Sequence, residues 1–304
     1  MKLIVVGRAA AEVGRLAARR SALTVAVVAD PEEAAARDLA RSLGAARWTA
    51  DPLEAVSGDD GAMVVLSGEL PGAARVAEAA LAAGRPVLLA SLPARDRQAW
   101  LELAARPGDG LMLSRPLRFD RHFAAARAAV CAGDVGTPRT VHIGWSFDAG
   151  IDPVDAATQL ADIALWLLDA EPASVYALAC EVAGPPLLKV NVLAARGELA
   201  SLEATVDAEG FPARRDLHLL ATDGEITHRT GQDDVLWSED SAGVFEYPAD
   251  APGREVAAWL DGPAAEPGNR AGGGDLRRNL AVARALADSL ASGEPRAVTE
   301  VVSR

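Results

Sequence analysis

Asp155, Gln159 and Asp162 recur at spacings of four and three residues along one stretch of the chain. On a helix that spacing puts all three on one face. Carboxylates so placed can hold a substrate hydroxyl or pass a proton. A glutamine between them can donate and accept hydrogen bonds, but it cannot act as a base near neutral pH. Their neighbours Leu160, Ile163, Trp166 and Leu167 are apolar, so the helix is expected to be partly buried. That favours acid/base or substrate-binding work for Asp162 over simple solvation.

A second group opens the chain. The apolar run Leu3 to Val6 ends in Gly7-Arg8-Ala9, and Asp30 closes the next run, Leu23 to Ala29. A glycine turn between a strand and a helix lets backbone approach a pyrophosphate, and an acid about 20 residues further on accepts ribose hydroxyls. Of the pattern G-x-G-x-x-G only Gly7 is in place. Ala9 and Glu12 fill the other two positions, and Gly14 comes two residues late. Glu12 suits the positive end of a helix, but it opposes a pyrophosphate seated on the same amides. Asp30 has a competing use as the cap of a helix that Pro31 opens.

Other reactive side chains are sparse. Lysine occurs only at Lys2 and Lys189, so an amine catalyst could only be Lys189, which alternates with Asn191 in a strand-like segment and reads first as interface or solvent-facing. Cys131 and Cys180 stand far apart without metal-ligand spacing, so they read as reduced thiols and no metal is expected. Arg118 and Arg121 could clamp an anionic substrate or pair with Asp120. Of the four histidines, His142, His218 and His228 fall in expected strands, while His122 opens a helix.

The elements that position these groups follow two rhythms. Up to Leu117, short apolar strands alternate with helices: strands at 2–6, 23–29, 62–66 and 86–90, and helices running to Arg20, to Leu43, from 72 to 83 and from 95 to 105. Such alternation requires right-handed crossovers and a parallel sheet. After a helix at 122–132, a strand at 137–147 and a helix at 155–168, the pattern changes to consecutive strands at 175–182, 187–194, 200–206, 216–221 and 225–228. These imply an open, mostly antiparallel sheet. A Gly/Pro/Ala-rich loop at 262–274 precedes a last helix at 275–291. The fold class is therefore α/β, with a Rossmann-type domain at 1–117 and a second α/β domain at 118–304.

Composition agrees with this. Half of the 304 residues are apolar but only 4% are aromatic, as expected for Ala, Val and Leu packed around a buried parallel sheet. A net charge of −13 opposes nucleic acid as a partner. No run is long enough to span a membrane, and Met1-Lys2 leads straight into the first strand, so the expected compartment is the cytoplasm.

The chain resembles the Gfo/Idh/MocA oxidoreductases over almost its whole length. The resemblance is carried by Val25 to Pro31 with Leu43-Gly44, by Ala79 to Leu88, by Arg118-Phe119-Asp120 with Gly133 to Gly136, by Thr222 to Ile226, and by Ala287 to Pro295. It implies a bound NAD or NADP lined by Gly7, Arg8, Ala9, Asp30, Ser67, Ser91 and Pro93, and a substrate site with Arg118 and Asp155. It also implies Asp162, Gln159 and His122 as the catalytic group, and a homo-oligomer built through the C-terminal sheet. The family's Glu-Lys-Pro stands here as Ser91-Leu92-Pro93, and its helix histidine stands as Gln159. Leu92 cannot donate a proton. The expected reaction is hydride transfer between NAD(P) and a small hydroxylated or imine-type substrate, the imine needing less acid catalysis. The alternative is a member without redox activity, with or without a cofactor, that senses a ligand, binds a partner or reuses the site for non-redox chemistry.

Overall fold

The computed structural model describes residues 1–19, 23–58, 63–93, 95–108, 110–147, 150–180, 186–206, 214–229, 235–238, 241–244, 250–262, 264 and 268–299. Arg20, Ala62, the strand ends Glu181 and Val182, and part of the loop 262–274 lie outside them. The chain divides into two compact units. The first is Met1–Phe119 with Asp250–Arg277, and the second is Asp120–Ala249 with Arg278–Arg304. The sequence reading assigned everything after 117 to one domain. The structure instead returns residues 250–277 to the first unit, because the apolar face of one further helix completes that unit's core.

The first unit alternates β1 (Lys2–Val6), α1 (Ala11–Ala18), β2 (Thr24–Ala29), α2 (Glu33–Leu43), β3 (Arg47–Thr49), α3 (Pro52–Ser57), β4 (Met63–Leu66), α4 (Ala73–Ala82), β5 (Val87–Leu89), α5 (Arg97–Ala104) and β6 (Leu111–Leu113). Among the described residues these strands form a six-stranded parallel sheet in the order β3-β2-β1-β4-β5-β6. The order reverses between β1 and β4, and the crevice outside the carboxyl ends of strands at such a point is where open α/β sheets take ligands. The central strands are buried on both faces, which explains their unbroken apolar sequences. The three-residue strands β3 and β6 and the short α3 are too brief to stand out as periodic patterns.

The second unit holds α6 (Arg121–Ala132), β7 (Pro138–Phe147), α7 (Pro153–Leu168), β8 (Pro172–Cys180), β9 (Leu187–Ala194), β10 (Leu199–Val206), β11 (Arg215–Ala221), β12 (Glu225–His228) and the hairpin β13 (Val235–Ser238) and β14 (Ser241–Val244). The first unit is completed by α8 (Ala251–Leu260). The chain then runs through α9 (Gly273–Ser292), which begins in the first unit and continues in the second, to β15 (Arg296–Ala297). The large sheet has the order β12-β11-β7-β10-β9-β8-β15, antiparallel throughout except for the β7/β10 pair.

Alternation along β9 and β10 buries Leu188, Val190, Val192, Ala200, Leu202 and Ala204 on the face that packs against α7. The opposite face carries Lys189, Glu203, Arg214 and Asp216 in one ion-pair network. It also carries the exposed leucines Leu178, Leu193, Leu199 and Leu220. No helix among the described residues is long and apolar enough to cross a membrane.

Candidate functional site

In the first unit the predicted cofactor residues gather at the carboxyl ends of β1, β2, β4 and β5. Gly7 has φ +86°, and its N–H donates to the Ala29 carbonyl at 2.8 Å, tying the ends of β1 and β2 together. A Cβ there would lie 2.6 Å from Leu70 Cδ1 and 2.7 Å from Ser67 Cβ, so both the dihedral and the packing demand glycine. Arg8 to Ala10 form a 3-10 turn on which Arg8 and Ala9 are exposed, and α1 follows. Gly14, two residues late for the fingerprint, packs on β1: a Cβ would lie 3.0 Å from Val5 Cγ2. The close helix–strand approach usually given by the third glycine is thus supplied from Gly14. Glu12 is exposed and paired with Arg15 at 2.6 Å, so its charge is partly neutralised.

Asp30 is buried, with its Oδ1 accepting from the Glu32 N–H at 2.9 Å. Burial raises its carboxyl pKa, with the nearby Arg8 charge acting against that rise. The cap position of α2 is Glu32 and not Asp30, which instead supports the turn ahead of that helix from the end of β2. Arg8 pairs with Glu32 above it. Ser67 and Ser91 are buried at the ends of β4 and β5, and the Gly68 N–H donates to Ser91 Oγ at 3.1 Å. A Cβ on Gly68 would collide with the Ser91 carbonyl and the Pro93 nitrogen, so these two strand ends meet backbone to backbone. Leu92 is 9% exposed, an apolar group in the lysine position.

Arg118 is 2% exposed and pairs with Asp275 at 2.8 Å inside the first unit. Beside it, Glu255 of α8 is buried and accepts from Ser114 Oγ at 2.7 Å and from the Arg115 N–H. Burial pushes its carboxyl up to about 7 against the opposing pull of these donors and of the two arginines. Sequence reading missed Glu255. Its signal is a single acid set directly before the apolar run Val256 to Leu260.

In the second unit, α7 starts at an Asp152 cap that accepts from the Val154 and Asp155 N–H groups, with Pro153 in the first turn. Asp155 and Gln159 lie one turn apart and are partly exposed. Asp162 is 2% exposed, and Asn279 of α9 donates to its Oδ1 at 2.8 Å. Through this bond the Asp162 carboxyl joins two helices inside the unit. His122 is buried with Nδ1 3.1 Å from Asp120, which also caps α6 by accepting from the His122 N–H at 2.9 Å. The His122 ring stacks on His228, centroids 3.6 Å apart. Burial pushes the Asp120 carboxyl up, but the bonds and charge of His122 and the Phe123 N–H outweigh it and hold it below the ordinary range. No group of three or more His, Cys, Asp or Glu among the described residues could hold a metal.

No family model matches the chain. It is 31% identical over 177 residues to the inositol 2-dehydrogenase of Mycolicibacterium smegmatis, which is 55% of this chain and 51% of that protein. It is 28% identical over 174 residues to that of Rhodococcus erythropolis, again half of the relative. The chain thus spans about half the length of the curated relatives it matches. Whole-chain likeness comes from structures. A myo-inositol dehydrogenase from Lactobacillus casei, solved with NAD(H) and myo-inositol, superposes with TM-score 0.76 at 18% identity, over 100% of this chain and 98% of that one. A myo-inositol dehydrogenase from Corynebacterium glutamicum gives 0.74 at 20% identity, over 98% and 99%. The likeness to these structures shows the fold. The curated relatives add sequence likeness over about half of this chain.

Proposed function

We propose that this chain is an NAD-dependent oxidoreductase that moves a hydride to or from a carbon of a small hydroxylated or imine-type substrate. The observation that carries this reading is the constellation at the sheet's reversal point: the Gly7 turn and Asp30 at the ends of adjacent strands, in a fold shared with dehydrogenases solved with NAD(H). The residues present fit such a group. Exposed Arg8 and Ala9 leave the turn's outer side open, Ala9 adds only a methyl, and Asp30 offers an acceptor to a ribose hydroxyl. When bound, the dinucleotide supplies the hydride donor or acceptor.

The protein side chains must do the rest. Asp155 and Gln159, one turn apart and partly open, accept hydrogen bonds from substrate hydroxyls, and the Gln159 amide donates to an imine nitrogen. His122, held by Asp120, moves the proton that a lysine and a helix histidine would otherwise handle. Asp162 positions α7 from below. Leu92 makes an activated, imine-type carbon the easier partner, since it offers no acid.

We further infer that the chain works in the cytoplasm as a homo-oligomer. The large sheet's outer face would dock the copies, burying Leu178, Leu193, Leu199 and Leu220 around the ion-pair network.

The replacements at Leu92 and Gln159 favour, as a second reading, a member that binds a ligand without redox chemistry. Titration with NADH, followed by nicotinamide fluorescence and melting temperature, separates the two. Saturable binding supports the oxidoreductase and directs a screen of polyols, inositol first. No binding of oxidised or reduced forms at millimolar concentration removes it.

A further inference from the structure

We propose that Glu32 sets the dinucleotide preference of this chain by holding the Arg8 guanidinium, so that a free ribose 2′-hydroxyl is accepted and a 2′-phosphate is refused. This rests on the dinucleotide reading of the first unit. β1 and β2 are neighbours, and the segments that follow their carboxyl ends carry Arg8 on one side and Asp30 with Glu32 on the other. The Arg8 and Glu32 side chains, 63% and 64% exposed, form an ion pair across those two segments. Asp30 lies beneath, fixed by the Glu32 N–H.

One guanidinium therefore faces two carboxylates, and the corner carries a surplus negative charge. A ribose diol donates to the Asp30 carboxylate, whereas a phosphate monoester adds roughly −1.5 to −2 of charge and is repelled by both acids. A guanidinium is also the side chain best shaped to bind phosphate. Arg8 is thus a phosphate receptor kept engaged by Glu32. There is room beside it, in an open groove between α1 and α2 lined by Arg8, Arg15, Glu32, Asp38 and Ser42. Cutting Glu32 back would free Arg8 at the edge of that groove.

The test is titration of the whole chain with NADH and with NADPH by nicotinamide fluorescence. Wild type is expected to prefer NADH. Glu32→Ala is expected to tighten NADPH at least about tenfold while moving NADH by less than about threefold, the scale of one new charge-assisted hydrogen bond. Adding Arg8→Ala should abolish the gain. Both side chains are exposed, and unchanged melting temperatures would show that the variants fold. An unchanged NADPH-to-NADH ratio in Glu32→Ala overturns the inference. So does a gain that survives Arg8→Ala, since bulk charge would then explain it. If wild type takes neither nucleotide at millimolar concentration, the dinucleotide reading falls and this inference with it. If it takes NADH and the ratio does not move, only this inference falls.

Discussion

The two units bury carboxyls in different company, and the outcome is opposite. Glu255 in the first unit is 1% exposed and Asp120 in the second is 7% exposed, so burial alone does not distinguish them. Glu255 has a hydroxyl, one amide and the charges of Arg115 and Arg118, yet desolvation wins and its pKa rises to about 7. Asp120 accepts from an imidazole and from the N–H groups of His122 and Phe123, and its pKa falls. Complete enclosure therefore outweighs a few good donors, while enclosure at a capping position with a little water access does not.

The largest expected effect comes from a third enclosed carboxyl, Asp162, whose partner Asn279 is a neutral amide. Asp162→Ala should cost about 2–4 kcal/mol, a fall in melting temperature on the order of 5–10 °C, because it leaves the amide without that acceptor and opens a void. Thermal melts measure it. Asp155→Ala, on the partly open part of the same helix face, should leave the melt nearly unchanged and weaken substrate binding instead. A melt indifferent to Asp162→Ala would count against the joining role and favour proton transfer for Asp162.

Glu255→Gln comes next and tests the first half of the comparison directly. A carboxyl whose folded pKa is raised stabilises the fold fully below its unfolded pKa, and that contribution is lost as pH rises through the folded value. Between pH 5.5 and 8, Glu255 should therefore remove roughly 2 kcal/mol of wild-type stability, which the glutamine variant should retain. Glutamine can still accept from the Arg115 N–H and donate to Ser114. Denaturant melts of both proteins across that range give the difference, and parallel curves would mean that Glu255 stays ionised.

These carboxyls also mark the limit of what the sequence discloses. Helical and strand periodicity revealed both sheets, and β9 and β12 were read with the bounds the structure shows. The face shared by Asp155, Gln159 and Asp162 was equally legible, because it depends only on spacing within one helix. Which of the three is enclosed was not. That depends on Asn279, 117 residues away, as Glu255 depends on Ser114, 141 residues away. α8 escaped notice because Pro252 and Gly253 disguise its first turn as loop. Gly14 was read as a glycine two residues late, since a fingerprint records position and not the Val5 side chain it packs against.

Asp120 supplies the smallest effect and the sharpest contrast. Its pKa is depressed, so its contribution is present above the unfolded value of 3.8 and is lost as pH falls through the lower, folded value. The slope thus has the opposite sign to that of Glu255 and lies in a different window. Two variants divide the contribution. Asp120→Asn keeps an oxygen for the His122 N–H, since asparagine caps a helix about as well as aspartate, but it cannot pair electrostatically with a protonated imidazole. Asp120→Ala loses both, about 1 kcal/mol of capping together with the ion-pair part at neutral pH, and that cost should shrink as pH falls and the wild-type carboxyl is neutralised. At pH 7 the asparagine variant should lose less than the alanine one. As pH is lowered below 4, its gap to wild type should close, because the wild-type carboxyl is itself being neutralised. If the gap stays constant, the ion pair with His122 contributes nothing and Asp120 is a cap alone. The proton role proposed for His122 would then lack its orienting charge.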